Sequence, residues 1–114
     1  MLAFRVLLIV LLVAVVAYTI PVVMNHGVNL LPVFFGDIAK LAWPGQFNMD
    51  FMGFLILSGV WTMWRNQFSP AGIGLGVLAI FFGIPFLTTY LLILSFRTNG
   101  DVRTIMLGQE RARA

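Results

Sequence analysis

Val6-Leu7-Leu8-Ile9-Val10-Leu11-Leu12-Val13-Ala14-Val15-Val16 is built from four apolar residue types and carries no polar side chain on any face. A helix with one face in water needs polar residues at helical spacing, and this run offers none. Extended to Phe4 and Met24, it matches the roughly 20 apolar residues that cross a hydrocarbon core. It predicts a first membrane span over residues 4–24. Pro21 falls in the last turn, where a helix ends or bends cheaply. Arg5 before the run and Val15-Val16-Ala17 within it also fit a signal peptide; the segment is read here as a retained span.

The rest of the chain has the same character. Of its 114 residues 61% are hydrophobic and 10% charged, too few charges to give a soluble domain of this length a polar surface. No cysteine is present, which excludes disulfides, thiolate metal sites and cysteine nucleophiles. The net charge of +3 comes from scattered arginines. No basic patch of the nucleic-acid kind is visible, so nucleic acid is not an expected partner.

Beyond Asn25-His26-Gly27, residues 28–43 are too interrupted to cross. Pro32 offers a helix start, and Phe34, Phe35, Ile38, Leu41 and Ala42 then share one face, with Asp37 and Lys40 on the other. This predicts an amphipathic helix over 32–43 lying in the interface, with Trp43 at headgroup level. Pro44-Gly45 reads as a turn. A second span is predicted over 49–64, closed by Trp61, Trp64 and Arg65, and a third over 71–96, kinked at Pro85. Thr98-Asn99-Gly100-Asp101 is a turn and helix cap, and 102–109 a short terminal helix. The expected fold is all-α: one membrane domain over 1–114, with three transmembrane helices, one interfacial helix and a short tail over 97–114.

Three spans place Arg5 and Arg65 on one side, against Lys40, Arg97, Arg103, Arg111 and Arg113 on the other. That two-to-five count puts the tail in the cytoplasm, in a multi-pass protein of the bacterial inner membrane type.

Gly72, Gly76, Ala79 and Gly83 recur at steps of four, three and four, forming a small-residue seam where another helix backbone can approach closely. The seam meets either another helix of this chain or a partner. Asp50 is the one acid inside a predicted span. It is either a proton-handling carboxylate or a first-turn acid beside an Asn48 cap. His26, the only histidine, is either hydrated or an axial ligand to a haem or chlorophyll metal. Thr88, Thr89 and Tyr90 follow Pro85 closely enough to repair its freed carbonyl. No catalytic triad, metal-ligand spacing or phosphate loop appears. No metal or cofactor is therefore expected. A bound lipid is, and the aromatic residues leave room for a pigment.

Asp50 opening the second span, Trp61-Thr62-Met63-Trp64-Arg65 closing it, Gly83-Ile84-Pro85-Phe86-Leu87, and Gly100-Asp101-Val102-Arg103 before Leu107-Gly108 together carry a resemblance. Over about half its length the chain resembles small bacterial integral membrane proteins with three predicted spans and no assigned activity. A weaker likeness is to three-span carotenoid and terpenoid cyclase halves, which implies an intramembrane acid, here Asp50. The expected function is that of a non-catalytic accessory subunit of a larger membrane complex, respiratory or photosynthetic in class. It would dock through the small-residue seam on other membrane subunits or on a second copy. The alternative is a small enzyme or carrier acting on an isoprenoid-type lipid.

Overall fold

The computed structural model describes residues 1–113, and within them every regular element is a helix. In chain order these are α1 (Leu2–His26), α2 (Leu31–Ala39), α3 (Trp43–Arg65), α4 (Pro70–Phe82), α5 (Ile84–Arg97) and α6 (Val102–Ala112).

α1 continues past Pro21 without a break and stops at Gly27, whose φ is +80°. α2 is shorter than the 32–43 expected, because the chain leaves it at Lys40 and Leu41 takes a φ of +54°. α3 begins six residues before the expected Met49. Pro44 and Gly45 form its first turn and not a loop, since a proline at the start of a helix gives up no hydrogen bond. Asn48 is accordingly inside the helix and is not its cap. Its Nδ2 donates to the Phe34 carbonyl at 3.1 Å, fastening α2 to α3. Gly45 backs onto the same helix: a Cβ there would stand 2.8 Å from Ile38 Cα.

The single helix expected over 71–96 is two helices. α4 lies antiparallel to α3, with Gly72 beside Asn66, Gly76 against Gly59, and Gly83 facing Phe51 and Leu55. At Gly83 the chain then turns back. Ile84 and Leu87 border a cleft with Leu55, Ser58 and Trp61, and Tyr90 reaches Asn66 at the far end of α3. α5 thus runs with α3 and against α4. A helix of 13 residues carries Gly83 about 20 Å from the 66–69 loop, and only a reversal brings Tyr90 home. Pro85 causes the break without being its site. In a continuous helix its ring would strike the carbonyl of Phe81 and its missing N–H would leave that group unpaired. Gly83 absorbs the turn instead, at φ +59°, a conformation open to glycine.

The helices fall into two ends. Arg5 reaches Ser95 and the Met1 side chain lies on Gly100, so the start of α1, the 66–69 loop, the end of α5 and α6 share one end. The α1–α2 connection, α2 and the start of α3 occupy the other, connected to the first by α1 and α3.

What is inside is unusual for a water-soluble bundle. The largest fully buried side chains are Thr62, Thr88 and Ser95, and Arg65 is 8% exposed. Among the described residues the buried apolar side chains are Leu8, Ala79, Leu94 and Ile105, whereas Val10, Val13, Phe54, Leu57, Phe81 and Phe82 stand outside. Of the six helices, α1 alone is both long and apolar enough to cross a membrane by itself. α4 and α5 are apolar but have 13 and 14 residues, about 20 Å each, against a core of about 30 Å.

Candidate functional site

The densest polar constellation lies where α3 ends, in the stretch Trp61-Thr62-Met63-Trp64-Arg65. Arg65 turns inward. Its Nε donates to the Ile105 carbonyl at 2.6 Å, Nη2 to the Thr104 carbonyl at 3.2 Å, and Nη1 to the Tyr90 hydroxyl at 3.3 Å. That hydroxyl also accepts from Asn66 Nδ2 at 2.8 Å. Trp61 Nε1 donates to the Met106 carbonyl at 3.0 Å, and Arg111 returns the contact by donating to the Trp64 carbonyl and lying 4.1 Å over its ring. The Tyr90 ring meets Trp61 edge-on and stacks on Phe86.

Among the described residues the one carboxylate–cation pair is Asp37–Lys40 at 3.9 Å, so Arg65 has no acid. Its charge is held by carbonyl dipoles, two from α6 and those at the end of its own helix, where the macrodipole is negative. Gly108 completes the joint. Its φ is +80° and a Cβ there would stand 2.5 Å from the Arg65 carbonyl oxygen. Arg5 repeats the pattern at the α1–α5 contact. It donates to the Ser95 hydroxyl at 3.0 Å and the Ser95 carbonyl at 2.9 Å, with its guanidinium 4.1 Å over Phe96. These arginines join helices and present no reactive group.

The residues singled out from the sequence lie elsewhere. Gly72, Gly76 and Ala79 are buried on the face of α4 turned to α3, with Gly59 and Met63 of this same chain opposite Gly76; Gly83 is the hinge that follows. His26 is exposed at the end of α1. Asp50 is exposed in the second turn of α3, on a cleft of about 670 Å³ shared with Ile38, Leu41, Trp43, Gln46 and Met49. His26 and Asp50 are not brought together, and among the described residues no three His, Cys, Asp or Glu side chains converge on a metal position. Thr88 and Thr89 do not reach the Phe81 carbonyl; they donate one turn back inside α5, to the Ile84 carbonyl at 2.6 Å and the Pro85 carbonyl at 2.7 Å. Tyr90 does not join them and goes to Arg65.

Sequence reasoning missed the role of Arg65, reading it only as a flanking charge. A cation directly after two tryptophans and a threonine on one helix was the available signal. The chain matches no protein-family model, no curated protein and no solved structure.

Proposed function

We propose that this chain is a multi-pass membrane protein acting as a non-catalytic accessory subunit of a larger membrane assembly. The observation that carries the reading is the inverted distribution of side chains, with threonine, serine and arginine inside and large aliphatic and aromatic residues outside. In water that arrangement would forfeit the hydrophobic effect; in lipid, polar contacts and close packing are what hold helices together. α1 and α3 cross the bilayer and α2 lies at one interface. In place of a third crossing, α4 and α5 form a re-entrant pair that enters and leaves at the same face. Its non-helical turn at Gly83 is buried in protein, which is where lipid tolerates one. The small-residue seam is taken up by α3, so docking falls to the outer faces of α1 and α5.

This topology changes the charge count. All six arginines gather at the end that holds α6, and Lys40 is alone at the other. Six against one puts the arginine end in the cytoplasm. Because the chain has no cysteine, single cysteines report cleanly. Gln67→Cys and Glu110→Cys should label from the cytoplasmic face and Asn29→Cys from the opposite face. Labelling of positions 67 and 110 from opposite faces would restore three full crossings.

The accessory role is tested in native membranes. In mild detergent the chain should migrate on a native gel in a band larger than itself, with other membrane polypeptides in fixed ratio. A band holding this chain alone would overturn it. A second reading, an enzyme or carrier for an isoprenoid-type lipid, draws on Asp50 at its cleft. It requires the isolated chain to turn over such a lipid and Asp50→Asn to abolish that activity.

A further inference from the structure

Six arginines share one end, and they are not equivalent. Arg5, Arg65 and Arg111 are engaged with carbonyls, hydroxyls and rings that join helices. Arg103 gives its Nε to the Ala112 carbonyl at 3.0 Å. Among the described residues the side chains of Arg97 and Arg113 have no hydrogen-bond or carboxylate partner, and both residues line one polar cleft of about 290 Å³ between the end of α5 and α6. Thr98, Asn99, Asp101, Thr104 and Gln109 complete its wall. The acid there is engaged elsewhere: Asp101 Oδ2 accepts from the Thr104 hydroxyl at 2.6 Å and forms no ion pair with either arginine. Two arginines without a carboxylate partner among the described residues therefore border the cleft, and Asn99 and Gln109, whose side chains carry amide donors, share its wall. Two guanidiniums with amide donors beside them suit a phosphate oxygen cluster.

Its surroundings say where the phosphate comes from. Phe96, Val102 and Met106, at 62%, 60% and 49% exposure, stand out on the two helices that border the cleft. A cationic cleft flanked by exposed apolar residues at the end of a membrane bundle matches a headgroup above its acyl chains. We infer that the Arg97–Arg113 cleft binds the phosphate of an anionic phospholipid in the cytoplasmic leaflet. The site rests on the membrane reading above, which brings the cytoplasmic leaflet to this end.

The test uses the full chain reconstituted in nanodiscs of phosphatidylcholine, alone or mixed with phosphatidylglycerol, with native mass spectrometry counting retained lipids. Wild type should retain phosphatidylglycerol over phosphatidylcholine by at least tenfold, given about fivefold per arginine near an anionic surface. Arg97→Gln with Arg113→Gln should bring that preference to within about twofold, while Lys40→Gln at the other end leaves it intact. Inorganic phosphate at millimolar concentration should not displace the lipid. Displacement by phosphate would mean a soluble-anion site, and an undiminished preference in the double variant would place lipid binding elsewhere; either overturns the inference. A chain that fails to enter phosphatidylcholine overturns the membrane reading itself. One that enters and shows no preference overturns this site alone.

Discussion

Replacing Arg65 with alanine is expected to free α6 from the bundle and to lower the thermal stability of the purified chain. Three donors disappear together, leaving the Thr104 and Ile105 carbonyls and the Tyr90 hydroxyl without them. Each bond to a charged donor is worth about 1.5–3 kcal/mol. The three act as a unit and do not add, so a loss on the order of 3 kcal/mol is the expected scale. The loss should be local first. α6 is joined to α3 through Arg65, Trp61 and Arg111, and with the central one gone trypsin should cut at Arg103 while α1 stays protected. Arg65→Lys is a sharper probe than a second deletion. It keeps the charge at the end of α3 but cannot span two carbonyls and a hydroxyl with a planar fork. It should fall between wild type and Arg65→Ala. A lysine variant indistinguishable from wild type would mean that charge at the helix end matters and fork geometry does not. An alanine variant with α6 still protected would remove Arg65 from the joint altogether.

That joint could not be read from the sequence, and the reason is physical. Its acceptors are backbone carbonyls, which every residue has, some forty positions from Arg65. No side-chain pattern marks a carbonyl as a partner. The helices themselves are more legible, because hydrophobic runs are additive along the chain: the long apolar α1, the amphipathic α2 and the apolar stretch on either side of Gly83 all stand out. Hydropathy is blind to direction, however. α4 and α5 have the same apolar composition whether they continue in line or fold back, so the sequence predicts one helix kinked at Pro85 where the chain reverses at Gly83. The start of α3 was missed for a related reason. Pro-Gly punctuates loops more often than helices, whereas here Pro44 opens α3 and Gly45 lets its first turn pack against Asp37 and Ile38 of α2. On the proposed topology the count of basic residues, Lys40 included, becomes six against one where three full crossings give two against five, without any change in the residues counted.

The second large effect separates two glycines that composition treats alike. Gly74 and Gly76 are two residues apart on α4 and point to different surroundings. A Cβ on Gly74 meets nothing within 4 Å, whereas on Gly76 it would stand 2.7 Å from Met63 Cε and 2.8 Å from the Gly59 carbonyl oxygen. Met63 can swing aside, but the Gly59 carbonyl belongs to α3 and moves only if the two helices part. Gly76→Ala should therefore destabilise the chain by about 1–3 kcal/mol, the usual range for overpacking, and Gly76→Leu by more. Gly74→Ala should have the opposite sign. It removes a helix-interior glycine at no steric cost, a gain of about 0.5–1 kcal/mol. Leu78→Ala, at an exposed position of the same helix, should change little. Thermal unfolding of the four variants in one detergent reads all of these directly. Native-gel migration of the same samples adds a further outcome. With the seam closed against α3, Gly76→Leu should weaken the chain itself, and any loss of partners should follow in proportion. If partners are lost while the melting temperature holds, the seam faces outward and α3 is not its partner. If Gly74→Ala and Gly76→Ala shift the midpoint equally and in the same direction, the close approach of α4 to α3 is not what these glycines provide.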